Sequence, residues 1–527
     1  MSGKEHRQSA LSTLLIMSCT LSSRILGFVR TAAIGALFGA GGQADVIHLI
    51  FNIPNNLRKL LAEGALSTAF IPELSREIAR NPDGSQAPKL VQSILGLQTI
   101  IIVPLLMYSL AFPGTVLAIF ERFKEPEKTA LSVVLFRWMI PYLLLVSVSA
   151  LMMAVHNTLG RFFIPAITPI AFSICVITTL LLGQARWGAL SIGIGVLLGG
   201  IAQIVLQYPT YVRLGYRLIP SFTFTNPAFL RVMRKWVPML ITSSLFVLNN
   251  QVAMLIASFL PDKSASSLAN AIIFYQLPFG IFSASITTVL YPKMSKQSAA
   301  ENRKEMLGSL EFGYRNLWAF LLPSAVALIL LGEPIIAVAF QRRAFVLSDT
   351  IMTSRVLAAY AVGMPFVGLF NITQRAFYAM GEVKKPFYLA LGIVSIDIVF
   401  SLLFVFFADG GSVSLAWANS IAFIIGAIVQ FLAIRKYAGF VMNGETVRTF
   451  LKVTLASAAM AVLMISSRVV LGTSWWSMGS SWSALGILLT ISMVSAGLIF
   501  ALYWWLRVEA VSIILKKGNR HENVAKQ

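Results

Sequence analysis

The chain has 527 residues, 57% of them hydrophobic and only 12% charged, with 42 Lys and Arg against 21 Asp and Glu for a net charge of +21. A soluble domain carries about 25% charged residues, and no stretch of that composition is long enough here to form one. The basic residues fall in short loops between apolar runs, which excludes a nucleic-acid surface and points to a membrane. Cys19 and Cys175 both lie inside apolar runs and read as small buried residues rather than a disulfide framework.

Apolar runs near 20 residues recur from end to end, each able to cross a bilayer about 30 Å thick. They predict an all-α polytopic membrane protein. In chain order the 14 expected spans are 11–38, 44–72, 90–119, 130–156, 162–183, 188–213, 230–260, 266–291, 308–340, 350–378, 385–408, 412–435, 449–472 and 481–506. The N-terminus, with Lys4 and Arg7 before an apolar run, has the outline of a signal peptide. That run is too long for one and carries arginines, so it reads as a retained first helix.

Arg24 and Arg30 lie within the first span and Arg58 within the second. Each charge at the centre of a membrane helix costs about 2.5–3.5 kcal/mol, and three together cost on the order of 8–10 kcal/mol. Such residues are kept where they face a polar cavity or an anion. Arg24 and Arg30 stand about 120° apart around a straight helix, with Gly27 between them as a place to bend. Guanidinium groups suit a diphosphate because they bond it bidentately and keep their charge. The bland alternative is structural pairing with Asp45 or Glu63. Asp45 follows the glycine-rich turn 39–42 and reads either as a helix N-terminal acid or as a gate that pairs with an arginine. Glu63 is four residues past Lys59 and can instead neutralise Arg58 or an arginine of the first span.

Further along, Asp397 stands in the middle of the eleventh span with Ser401 one turn on. With Asn250 it can hold a coupling Na+ or carry a proton; the alternative is a neutral acid bonded to a neighbouring helix. Arg137, Arg315, Arg355 and Arg468 lie near span ends and read as snorkelling. His48 and His156 are isolated, without metal-ligand spacing, so neither a metal nor another cofactor is expected. The last two spans are almost free of charge, and Trp475, Trp476, Trp504 and Trp505 fit interfacial belts.

An even number of spans puts both termini on one side. The loops on that side hold about 27 Lys and Arg against 7 on the other, so it is expected to be cytoplasmic. The chain also repeats itself. Residues 67–76 match 287–296, Gly160 and Pro165 match Gly381 and Pro386, and Gly199 and Gln203 match Gly426 and Gln430. The offsets are nearly constant, which predicts an N-terminal lobe at 1–225, a second lobe at 226–440, and two appended helices with a basic tail at 441–527.

Ser23-Arg24-Ile25-Leu26-Gly27-Phe28-Val29-Arg30 resembles the S-R-x-L-G-x-x-R signature of the MurJ (MviN) lipid II flippases. Residues 38–45 and 54–65 resemble its F-G-A-G-x-x-x-D and P-N-x-L-R-x-x-x-A-E-G-A segments. The resemblance covers most of the chain in layout and is most specific across 20–75. It implies the superfamily that also contains multidrug extruders and oligosaccharide-lipid flippases, with two six-helix lobes around a cavity. It implies a monomer of the bacterial inner membrane that moves lipid II, a diphosphate-linked disaccharide-pentapeptide lipid, to the periplasmic leaflet for peptidoglycan synthesis. On this reading Arg24, Arg30 and Arg58 bind the substrate, with no nucleic acid involved; whether a peptidoglycan polymerase is a partner stays open. Three departures stand out. Thr31 occupies a place often acidic in the family, the stretch 271–274 lacks the arginine many members have there, and the seventh span has Asn249 and Asn250 but no acid.

Other readings are an exporter of another lipid-linked oligosaccharide or amphiphile, a membrane enzyme, or a transport-inactive cell-wall scaffold. A cation extruder would want acids where the first lobe has arginines. An enzyme would need a general base or metal motif, and the sequence offers no His-Asp pair, H-E-x-x-H or Walker A pattern.

Overall fold

The computed structural model describes residues 3–61, 65–80, 86–407, 411–472, 479 and 481–509, and every regular element among them is helical. The chain divides by packing into two compact units, residues 1–266 and 267–527. The expected bounds at 225 and 440 came from the sequence matches and not from packing.

The first unit holds α1 (Gly3–Phe38), α2 (Gln43–Leu61), α3 (Ala65–Arg80), α4 (Gln86–Ala111), α5 (Pro113–Phe120), α6 (Pro126–Met139), α7 (Tyr142–Thr158), α8 (Phe163–Trp187), α9 (Leu190–Arg213) and α10 (Pro227–Ser258). The second holds α11 (Ser264–Pro278, whose first turn closes the first unit), α12 (Ala284–Ala299), α13 (Arg303–Phe340), α14 (Leu347–Ala379), α15 (Lys384–Phe407), α16 (Gly411–Ala438), α17 (Gly444–Leu471) and α18 (Trp482–Trp505). Each of the 14 expected spans corresponds to helix, but several are broken. Pro113 opens α5 and Pro141 separates α6 from α7, because proline cannot donate to the preceding turn. A π turn, Phe279–Ser283, joins α11 to α12 after Pro278.

Among the described residues, twelve helical stretches are long and apolar enough to cross a membrane. The expected spans outside that set are α2 with α3, and α10. Both carry amides and cations along their length: Asn55, Asn56 and Arg58 in α2, and Arg231, Lys235, Asn250 and Gln251 in α10. The structure packs them on each other. Asn56 Nδ2 donates to Gln251 Oε1 at 3.0 Å. At one end of this pairing Glu73 lies 2.9 Å from Arg231 and 2.7 Å from Lys235. At the other, Asp45 accepts from the Lys263 N–H at 2.8 Å. Partners late in α3 meet the start of α10 and partners early in α2 follow its end, so the helices run antiparallel. Their polar faces turn toward one another instead of meeting lipid.

The glycines matched in sequence have like local geometry in the two units. Gly160 and Gly381 both adopt left-handed backbone, with φ of 73° and 76°. The residue after each donates back five positions, Arg161 to the His156 carbonyl and Glu382 to the Phe377 carbonyl, the glycine-dependent helix stop that a side chain would strain. Gly199 and Gly426 are both close-approach points, where an added Cβ would strike Phe172 and Ile393 respectively. In the second unit α17 and α18 pack on each other and on α13 around Leu331, Met460 and Leu488. Their outer residues, such as Val469, Val470, Met493 and Trp505, are exposed and apolar, as lipid-facing surface should be.

Candidate functional site

On α2, His48, Phe51, Asn55 and Arg58 recur three or four residues apart and share one face. On α1, Ser23, Gly27 and Arg30 do the same. Phe51, Asn55 and Arg58 of the first face and all three of the second, with side chains of α7, α8 and α9, line a cavity of about 220 Å³ inside the first unit. Its lining includes Arg30 and Arg58, the polar side chains Ser23, Asn55, Tyr142 and Gln203, and the rings of Phe51 and Phe172. No carboxylate is among the described lining residues.

The two guanidinium groups are held differently. Arg30 Cζ lies 5.0 Å from the Phe51 ring centroid and 5.6 Å from that of Phe172, and Phe172 leans on Tyr142 at 5.0 Å. Ring faces attract a cation by about 2 kcal/mol when desolvated, which keeps the charge in place without an acid. No acid among the described residues pairs with Arg30. Arg58 Nη2 donates to Asn55 Oδ1 at 2.9 Å, one turn back on its own helix. Two cations on one small cavity repel each other and favour an anion between them.

Arg24 sits elsewhere. It is exposed on α1 and is not part of the described cavity lining. This follows from the helix itself: the lining face runs Ser23, Gly27, Arg30, and Arg24 is a step of about 100° away from it. Glu63 lies outside the described residues. Asp45, 2% exposed, is bound to backbone and lysine rather than to an arginine. Its oxygens accept from the N–H groups of Lys263 and Ser266, each at 2.8 Å, and Lys128 Nζ lies 3.6 Å away. Lys128 also donates to Asp262 Oδ1 at 2.6 Å, and Asp262 accepts from the Gly42 N–H at 2.8 Å. Gly42 has a φ of 51°, and a Cβ at Gly41 would run into the Asp262 carboxylate, so the glycine-rich turn is what lets this clasp close. Burial opposes ionisation of Asp262, but the Lys128 and Gly42 bonds outweigh it and hold its carboxyl below the ordinary range. At the other end of α10, burial likewise opposes ionisation of Glu73. The bonds from Lys235 and Arg231 prevail and bring it down to about 2.

The lipid II flippase MurJ family model matches residues 34–493. The chain belongs to this family. A probable lipid II flippase MurJ of Borreliella burgdorferi is 32% identical, over 81% of this chain and 83% of that one. Its Thermotoga maritima counterpart is 30% identical over 97% and 99%. A solved structure of lipid II flippase MurJ in an inward closed conformation is 27% identical, with a TM-score of 0.76, over 93% of this chain and 99% of that chain. An inward-facing multidrug resistance transporter of the MATE family, at 15% identity and a TM-score of 0.65, shares the fold.

In this MurJ family member the place of Asp397 is also defined. It is 5% exposed in α15, and its two carboxylate oxygens accept from Ser401 Oγ at 3.4 Å and from Asn419 Nδ2 of α16 at 2.6 Å. Asn250 lies in α10, in the other unit. Thr31 turns its hydroxyl back to the Gly27 carbonyl at 3.2 Å. Reading the sequence missed Phe51, Phe172, Tyr142 and Gln203 as cavity residues, and Lys128 as the partner of Asp45. The α2 stripe of His48, Phe51, Asn55 and Arg58 was a usable signal. Residues from α7 to α9 carried none, because an aromatic or amide in an apolar run has the same pattern whether it lines a cavity or packs a core.

Proposed function

We propose that this protein moves lipid II across the bacterial inner membrane, and that the Arg30–Arg58 cavity receives the diphosphate of its headgroup. One observation carries the assignment: the guanidinium groups of Arg30 and Arg58 share a small polar cavity, and no acid among the described residues pairs with Arg30. The volume of about 220 Å³ is below the 300–1,000 Å³ of pockets that enclose a drug-sized ligand. A diphosphate fits that space, while the disaccharide and pentapeptide stay outside it. Exposed on α1, Arg24 adds attraction at longer range.

Both termini lie in the cytoplasm on this reading, following the excess of about 27 basic residues against 7. The headgroup binds from that side, the site opens to the periplasm, and the polyprenyl tail stays in lipid. No bond is made or broken. A membrane potential negative inside favours outward movement of an anion by about 2.3 kcal/mol per charge per 100 mV. We read Asp397 as an interhelical tie, since Asn419 of α16 donates to its carboxylate at 2.6 Å.

The test is binding of lipid II to purified protein together with a leaflet-accessibility assay. A charge-assisted hydrogen bond contributes about 1.5–3 kcal/mol, so Arg30→Ala and Arg58→Ala should each weaken headgroup binding by about tenfold to a hundredfold. Both should stop transport while the protein still inserts. Wild-type transport by both variants would refute the assignment.

A further inference from the structure

The lining of the arginine cavity includes Gln203 of α9, 6% exposed, whose Oε1 meets no donor. One turn on, Gln207 is fully buried. Its Nε2 donates to Ser149 Oγ at 2.7 Å and to the Gln203 carbonyl at 3.0 Å, while its own Oε1 has no donor. A further turn on, Tyr211 is fully buried with its hydroxyl unpartnered, and its ring centroid lies 6.3 Å from that of His156. His156 Nδ1 lies 2.7 Å from the Met152 carbonyl. A carbonyl only accepts, so Nδ1 carries the proton and Nε2 is left as a buried lone pair, again without a donor.

These groups form a line. Gln203, Gln207 and Tyr211 step four residues at a time along one face of α9, and Ser149 and His156 step seven along α7, which packs against it. His156 ends the line just short of the exposed turn 160–163. Orphaned polar atoms are rare in protein interiors, and four in succession beside a polar cavity have a common explanation in ordered water. We propose that the cavity continues inward as a file of bound water along Gln203, Gln207, Ser149, Tyr211 and His156. The file gives the cavity an aqueous route separate from its mouth. Water displaced when an anion seats between the arginines leaves by that route and returns when the anion departs. This follows from the interior of the first unit alone and does not depend on which cargo is carried.

Radiolytic hydroxyl labelling of the full-length protein, read by mass spectrometry at single residues, tests it. The comparison residues are Tyr503 and Tyr314, equally buried but satisfied, one by the Ala319 carbonyl at 2.7 Å and the other by Thr373 Oγ1 at 2.6 Å. Tyr211 and His156 should label severalfold faster than expected for their burial, and Tyr211 severalfold faster than Tyr503 and Tyr314. Gln207→Leu, which interrupts the line, should return Tyr211 to the rate of Tyr503. Tyr211 labelling no faster than Tyr503 in the wild type overturns the proposal, and that comparison needs no variant to fold. Tyr211 labelling unchanged in Gln207→Leu overturns the path.

Discussion

Glu121 illustrates how a single side chain ties stability to pH in this fold. It lies between α5 and α6, is 5% exposed, and accepts one short hydrogen bond, 2.6 Å, from Ser132. Burial pushes its carboxyl up to about 7 from an ordinary 4.5, with the Ser132 bond offsetting only part of the rise. Between those values the folded protein keeps a proton that the unfolded chain has released. Its contribution therefore falls as pH climbs from about 4.5 through about 7, by at most about 3 kcal/mol. Thermal unfolding in detergent should show Tm declining across that window, and Glu121→Gln should flatten the decline. An identical slope in the variant would remove Glu121 as its source. At the same scale Arg30 and Arg58 were legible in the sequence, because charge inside an apolar run demands a reason. Phe51 and Phe172 were not, since nothing in a sequence says that a ring will face a cation. Lys128 escaped notice because two of its carboxylate partners, Asp45 and Asp262, come from distant parts of the chain.

Among the elements, α10 is tied by polar contacts to α2, one of the cavity-forming helices, and to α3 beside it. It is fastened to α3 through Glu73, to α2 through Asn56, and followed by the turn that Asp45 holds. Glu73 is fully buried, whereas Arg76, Arg231 and Lys235 around it are a third to a half exposed. Breaking a fully buried pair costs about 3–5 kcal/mol, and solvent at these cations lowers the expected loss to about 2 kcal/mol. Glu73→Gln should therefore lower Tm, measured by the unfolding of purified protein. It should also remove a component that wild type loses only as pH falls below about 4.5 toward 2, since a depressed carboxyl stabilises the fold above its unfolded value. Helix positions were largely readable from hydropathy because lipid imposes a length and a composition. The breaks at Pro113, Pro141 and Phe279–Ser283 were not placed, because proline inside a membrane helix is tolerated in some contexts and ends the helix in others.

For the whole molecule, the distribution of basic residues makes a claim about orientation. Epitope tags added at either end should be accessible only from the cytoplasm in intact cells, and a tag reached from the periplasm would reverse the assignment. The paired glycines were visible in sequence, and Gly160 with Gly381 and Gly199 with Gly426 do the same local job in each unit, stopping a helix or letting two touch. The cavity was legible only as a need for one: its volume and its walls depend on five helices meeting, which no single run of residues encodes. That volume has a corollary. On the proposed reading, a socket with room for two phosphates and little else reads only what every polyprenyl-diphosphate donor has in common. Chemical edits to the sugars or the peptide stem should pass it unnoticed, and whatever discriminates among cargoes must be built from other surfaces.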